Sequence, residues 1–272
     1  MRTCYFHEDL EEALQRLGFL EGSPTEAPLN SVQGRTSHQV YAMPAPESPL
    51  RRVLWKQCRR GGMVEPVLKD RHWSVRRFLK EMVLTDAARR AGVSVAPTLA
   101  VAVVPCGGGW KRVEILCEMI DDADDLEGLL ATPTPDRHLR REVIQAVAGE
   151  LRRFHGSGFS HGDLNVKNVL WRASAESAGI DVTLIDLDPG SNTSSSPQGN
   201  LLRLYRSYLK GAAAGRWTLT RLELLRFVNT YFAGDRVGMV RFLRRAQRML
   251  SFQSVRRLRW GLRRRPTTTP NR

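Results

Sequence analysis

The sequence predicts an α+β fold in two lobes: a small N-terminal lobe of antiparallel sheet with one helix, then a larger, mainly helical C-terminal lobe. Three observations carry this. Short apolar runs suited to strands gather before residue 120. Apolar residues at three- and four-residue steps dominate after residue 137. From His161 to Asp188 the chain reads HGDLNVKNVLW, a polar insertion, then DVTLIDLD, which sets two carboxylates beside short apolar runs. The expected divisions are 1–120 for the first lobe, 121–265 for the second and 266–272 for a disordered tail.

Leu10, Leu14 and Leu17 recur at helical spacing, so residues 8 to 20 predict a short amphipathic helix. Gly22 to Pro28 reads as a loop, and Gly34 to Met43 as a first hairpin. Pro44 to Pro49 is a Pro-rich loop. A strand follows at Val53-Leu54-Trp55-Lys56. Arg71 to Arg90 reads as a helix whose inward face carries Phe78, Met82, Val83 and Ala87. Two strands, Val95 to Val104 and Val113 to Ile120, flank the flexible hairpin loop Gly107-Gly108-Gly109. Asp121, Asp122, Asp124 and Asp125 then cluster, suited to capping the next helix or to receiving substrate hydroxyls. Thr132 to Pro135 is a linker. Arg137 to Gly156 reads as a helix with Val143, Val147, Leu151 and Phe154 on one face. Val182 to Ile185 is a buried strand that delivers Asp186. Ser191 to Gly199 reads as a loop; Leu201 to Leu209, Arg221 to Phe232 and Val237 to Leu250 read as helices.

The segment HGDLNVKN fits H-x-D-L-x-x-x-N, with Asn168 at its end and Asp186 following the next strand. Phosphoryl transfer from ATP calls for these residue types, because positioning and charge neutralisation do most of the work. Mg²⁺ prefers oxygen ligands, which an Asp carboxylate and an Asn carbonyl supply. Asn168 and Asp186 therefore read as metal ligands. A separate Asp can orient the acceptor hydroxyl and take its proton, the role predicted for Asp163. A lone HxD would more simply cap a turn; the whole constellation argues for a kinase. His155 and His161 read as scaffold. Asp188 reads either as a second metal ligand or as a cap.

HGDLNVKNVLW with LIDLDPG resembles the Kdo/lipopolysaccharide kinase family of the protein kinase-like superfamily, bacterial enzymes that phosphorylate inner-core sugars of lipopolysaccharide. Family members carry a loop of the form HxDLNxxN, an IDxD strand end and a segment like NLxRLxRS. Here that segment is Asn200-Leu201-Leu202-Arg203-Leu204-Tyr205-Arg206-Ser207. An LRxxRRGG-like segment is echoed by Trp55-Lys56-Gln57-Cys58-Arg59-Arg60-Gly61-Gly62. The likeness runs from about residue 34 to about residue 210. It implies a bilobal protein kinase-like fold with ATP between the lobes. Lys56, at a strand end like the VAIK lysine, would hold the ATP phosphates and Glu81 would align it. Taken as residues alone, the alternatives are a solvated strand-edge lysine at Lys56 and a solvated glutamate at Glu81. The turn Gly34-Arg35-Thr36 would lie over the phosphates, or be an ordinary surface turn. Main-chain groups around Glu118 and Ile120 would bind adenine. The implied acceptor is a core sugar, most simply the 4-hydroxyl of Kdo (3-deoxy-D-manno-octulosonic acid) on lipid A, at the cytoplasmic face of the inner membrane.

A net charge of +14 over 272 residues implies an anionic partner. A phosphorylated glycolipid and an anionic membrane surface both fit; nucleic acid is not expected. Arg256 to Arg265 interleaves Arg with Leu258, Trp260 and Leu262, which suits an interfacial segment or a helix end packed on the C-lobe. Cys4, Cys58, Cys106 and Cys117 form no C-x-x-C pair, which argues against zinc and fits a reduced cytoplasm. The start, MRTCYFHEDLEEAL, lacks the apolar core of a signal peptide. The longest apolar stretch, Leu99 to Cys106, is too short to span a bilayer, so membrane contact is predicted to be peripheral. No APE and no long activation segment follow Asp186, and Asn165 stands where serine/threonine kinases have Lys. Both favour a sugar, glycolipid or other small acceptor over a protein. The rivals are kinases of core heptose, of protein or of a small alcohol, and a non-catalytic basic binding module. Intact Asp163, Asn168 and Asp186 speak against the last.

Overall fold

The computed structural model describes residues 1–33, 37–43, 51–59, 70–132, 136–174, 179–189, 196–217 and 220–263. Six strands form one antiparallel sheet: β1 (Thr3–Phe6), β2 (Asn30–Gln33), β3 (Ser37–Met43), β4 (Arg51–Gln57), β5 (Thr98–Pro105) and β6 (Lys111–Glu118). Their order is β1-β5-β6-β4-β3-β2. Helix α1 (Glu11–Leu17) covers one face and α2 (Arg76–Arg90) the other. The two-residue period of a strand sorts the side chains. Val53, Trp55, Ala100, Ala102 and Leu116 pack with Leu14, Leu17 and Phe19 on the α1 side. Val101, Val103, Val113, Ile115 and Cys117 pack with Phe78 on the α2 side. The same alternation sends Lys56 away from the α1 side and into a cavity it shares with Phe78 and Glu81 of α2.

Three local outcomes differ from the sequence reading. The helix expected over residues 8 to 20 is shorter: Glu8–Leu10 is a 3-10 turn, and α1 ends at Gly18, whose φ of 76° a glycine adopts without steric cost. Strand β1, not anticipated, pairs with β5 from Thr3↔Val103 to Phe6↔Ala100. Arg71 to Val75 stay outside α2. The reason is that His72 and Lys111 exchange main-chain hydrogen bonds at 2.7 and 2.9 Å, which holds this stretch extended against β6.

The C-terminal half holds a second sheet of β7 (Asp124–Asp125), β8 (Val169–Ala173) and β9 (Ile180–Leu184). Around it lie α3 (Leu126–Ala131), α4 (Arg137–Gly156), α5 (Pro197–Ala213), α6 (Arg221–Phe232) and α7 (Arg236–Arg263). Asp125 caps α3 by accepting the Gly128 amide at 2.7 Å. Val143, Val147, Leu151 and Phe154 of α4 are buried at the centre of the larger core. Each such side chain contributes roughly 1.5–3 kcal/mol of burial. α5 starts inside the predicted loop, because Ser196 accepts the Gly199 amide at 3.1 Å and Pro197 suits a first turn. The segment before β5 is sewn to β9: the Leu184 amide donates to Ser94 O (3.0 Å) and the Ala96 amide to Leu184 O (2.9 Å).

One buried ion pair joins α4 to α6. Arg140 Nε donates to Glu223 Oε1 at 2.6 Å, with side chains 9% and 12% exposed. Glu223 also closes a capping box with Thr220 at the start of α6. Replacing Glu223 with Ala takes the carboxylate from a buried guanidinium and half of the capping box from α6, leaving only the Thr220 hydroxyl as its cap. The expected loss is about 3–5 kcal/mol in urea denaturation; Glu223→Gln, which can still accept from Arg140, loses less. No helix among the described residues is long and apolar enough to cross a membrane. The side chains of 256–263, and all of 264–272, lie outside the described residues, so the interfacial segment and the tail read from sequence do too.

Candidate active site

The two acidic segments meet because the main chain stitches them together. His161 is fully buried. Its Nδ1 accepts the Asp163 amide at 3.2 Å, so Nε2 carries the ring proton and donates to Ile185 O at 3.2 Å. Burial holds the His161 pKa below its ordinary value and keeps the ring neutral. The Gly162 amide donates to Asp188 O (2.7 Å) and the Ile185 amide to Asn168 O (3.1 Å). Asp186 follows directly, with φ 52°, a left-handed conformation uncommon outside glycine but accessible to Asp. The Asp163 carbonyl accepts from Asn165 Nδ2 (2.9 Å) and Asn168 Nδ2 (3.1 Å). This spends the donor side of Asn168 and leaves its carbonyl oxygen as a ligand atom.

Lys56, Glu81, Asp163, Asn168, Asp186 and Asp188 line one cleft of about 630 Å³. That volume lies within the range of small-molecule sites. Lys56 Nζ meets Asp186 Oδ1 at 2.8 Å, its stem 15% exposed. Burial pushes the Asp186 carboxyl up, but the Lys56 ammonium beside it outweighs that and holds it below the usual carboxylate range. Asp186 is thus an anion at neutral pH. With the Asn168 carbonyl and the Asp188 carboxylate it offers hard oxygen donors facing one space, a set that fits Mg²⁺. Cys117 borders the same cleft, and burial pushes its thiol up to about 12, so it stays neutral.

Glu81 is 8% exposed. Burial first and Asp186 second push its carboxyl up to about 7, against the pull of Lys56 and Arg77. Lys56 forms its ion pair here with Asp186, not with Glu81. A folded-state pKa above that of a free glutamate means the charged form is disfavoured on folding. Stability from this group is whole below about pH 4.5 and is lost as pH rises through about 7. Nucleotide-free Glu81→Gln and wild type should match at acid pH and diverge upward. The variant should end about 3 kcal/mol more stable in denaturation at alkaline pH.

The sequence-predicted residues fall as follows. Lys56, Glu81, Asp163, Asn168 and Asp186 come together. Glu118 and Ile120 bracket the connection out of β6, where the Glu118 amide donates to Pro97 O (3.1 Å) and the Met119 amide to Arg52 O (2.9 Å). Gly34-Arg35-Thr36 and Arg60-Gly61-Gly62 lie outside the described residues; Arg59 lines the cleft. Sequence reasoning missed two arginines. Arg77 of α2 pairs with Asp188 at 3.0 Å, and Arg203 of α5 pairs with Asp163 at 3.3 Å. The only advance signal for Arg203 was its place in the NLLRLYRS segment. Trp73, 61% exposed, stands at the cleft edge with its ring at 83° to that of Trp110.

Three comparisons bear on this geometry. The family model described as "Lipopolysaccharide kinase (Kdo/WaaP) family" matches residues 28–231, a span that contains every cleft residue named above. A 3-deoxy-D-manno-octulosonic acid kinase of Vibrio vulnificus (strain YJ016) is 30% identical over 188 residues, 67% of this chain and 73% of that protein. One from Vibrio cholerae serotype O1 is 29% identical over 187 residues, 67% of this chain and 74% of that protein. Among solved structures, WaaP in complex with acyl carrier protein superposes with a TM-score of 0.51 at 18% identity. That match covers 90% of this chain and 98% of that one, and it shows the kinase-like fold. Family model and relatives agree that this is a phosphotransferase, and the chain belongs to the lipopolysaccharide kinase (Kdo/WaaP) family.

Proposed function

We propose that the protein transfers the γ-phosphoryl group of ATP to a sugar hydroxyl of the lipopolysaccharide inner core, the 4-hydroxyl of Kdo on lipid A. The observation that carries this is the convergence of Asp163, Asn168, Asp186 and Lys56 on one cleft. We divide the chain in the connection out of β6, with residues 1–120 covering the nucleotide and 121–265 carrying the acceptor. Asp163 accepts the proton of the attacking hydroxyl, whose oxygen bonds to the γ-phosphorus as the bond to the β-phosphate oxygen breaks and ADP leaves. Asn168 and Asp186 would hold Mg²⁺, which would supply neutralisation of the phosphate charge. Lys56 leaves Asp186 for the phosphate oxygens, and Glu81, buried beside it, keeps the ammonium in line. Main-chain groups at Glu118 and Ile120 meet adenine.

The acceptor assignment rests on the relatives, which are named as 3-deoxy-D-manno-octulosonic acid kinases. Such an acceptor sits on a phosphorylated lipid, and the +14 charge suits it. α7 adds a basic surface in which Arg236, Arg241, Arg244, Arg245 and Arg248 surround Val237 and Val240, exposed by 67% and 43%. We place the enzyme on the cytoplasmic face of the inner membrane, held peripherally by this surface. Mass spectrometry of lipid A-core species from cells with and without the gene tests the reading. Loss of one phosphate from the Kdo region on deletion supports it; an unchanged core overturns it.

A further inference from the structure

α5 lies along the catalytic loop and touches it with one face. Asn200, Arg203 and Ser207 stand three and four residues apart and so share a side of the helix. Asn200 Oδ1 accepts the His161 amide at 2.7 Å, and Ser207 Oγ accepts the Val166 amide at 3.4 Å. Between them, Arg203 Nη1 donates to Asp163 Oδ1 at 3.3 Å. Asn200 and Ser207 hold main chain. Arg203 holds the carboxylate on which proton abstraction depends.

That contact competes with the acceptor. A guanidinium keeps its charge, and here it takes up one of the two Asp163 carboxylate oxygens. The pair is also weak. Its side chains are 45% and 61% exposed, and exposed ion pairs contribute little. A better anion displaces it. Lys56 and Arg77 face Asp186 and Asp188, where the nucleotide phosphates arrive. Arg203 comes instead from the C-terminal half and stands at the base itself, so the anion it meets is one that enters with the acceptor. A planar guanidinium fork matches a carboxylate in two parallel hydrogen bonds.

We infer that Arg203 is the receptor for the carboxylate of a sugar-acid acceptor. On acceptor binding it leaves Asp163 for that carboxylate, frees the Asp163 oxygen and sets the reacting hydroxyl against it. This rests on the proposed acceptor class. Arg203 takes no part in bond making: the hydroxyl proton goes to Asp163 and the hydroxyl oxygen to phosphorus. A lipid phosphate has similar acceptor chemistry, and the test separates the two.

The experiment measures kcat and KM of the full chain, R203A and R203K with Mg²⁺-ATP and three acceptors. These are Kdo-lipid A, the same lipid with its Kdo carboxylates methyl-esterified, and the same lipid stripped of its lipid A phosphates. Thermal melting of each variant confirms that it is folded. Wild type should prefer the free acid over the ester by roughly 10- to 100-fold in kcat/KM, as for one charge-assisted contact. It should use the dephosphorylated lipid, whose Kdo carboxylates are free, about as well as Kdo-lipid A. R203A should lose the preference through a raised KM for the free acid, with the KM for ATP unmoved, and R203K should recover part of it. Wild type that phosphorylates acid and ester alike overturns the inference and leaves the proposed function standing. So does an R203A defect confined to kcat and equal on both acceptors, which would make Arg203 an orienting group for Asp163. A preference that follows the lipid phosphates overturns it too. Wild type that phosphorylates none of the three overturns the proposed function and this inference together.

Discussion

Asp163→Asn should cut kcat by roughly 10²- to 10⁴-fold while nucleotide binding survives. The substitution keeps size and hydrogen-bonding reach but removes the proton acceptor. The surrounding scaffold is main chain: His161 Nδ1 holds the Asp163 amide, and Asn165 and Asn168 hold its carbonyl. None of these contacts uses the carboxylate, and the Asp163 side chain is 61% exposed, so the fold has no reason to change. Steady-state kinetics and a nucleotide titration check this together. A variant that loses both turnover and binding would show that Asp163 belongs to the nucleotide site instead. A variant that keeps turnover would remove it from the chemistry.

Asp186→Asn should act differently. It should lower kcat by about 10²- to 10³-fold, the usual cost of one preorganised electrostatic partner. It should also raise the Mg²⁺ concentration needed for half-maximal activity. Asp186 is the anion that Lys56 faces in the nucleotide-free protein, and Lys56 is only 15% exposed. Removing the charge leaves that ammonium in a mostly dry place without its carboxylate partner. The variant should therefore also melt lower, which Asp163→Asn should not. Kinetics across a Mg²⁺ series, with melting curves of both variants, separate the two acidic roles. Equal behaviour of the two variants would contradict the division of labour.

The local sequence announced the acidic residues that meet in the cleft and some of the helices. Asp163, Asn168 and Asp186 were legible because their spacing is local and their types are few. Helix α4 (Arg137–Gly156) and helix α6 (Arg221–Phe232) match the expected bounds, since both are amphipathic and one opens on a capping box. Strand β1 was not legible. Four residues, TCYF, give too short an alternation, and its partner β5 is about a hundred residues away. Nor were the ion pairs. Lys56 and Asp186 are 130 residues apart, and Arg203 and Asp163 are 40 apart. Such pairs follow from how β4 and α5 are placed against the two acidic segments, which no window of sequence contains. The sequence offered Glu81 as a partner for Lys56. The fold buries Glu81 in the same cleft, with the ion pair itself made to Asp186.

The most direct test of the account is made with purified protein, Mg²⁺-ATP and Kdo-lipid A, with the product analysed by mass spectrometry and fragmentation. The account predicts a gain of one phosphate on the Kdo 4-hydroxyl, absent without Mg²⁺ and absent with Asp163→Asn. An unmodified lipid under conditions where the protein binds nucleotide, or a phosphate placed elsewhere than on Kdo, would contradict it.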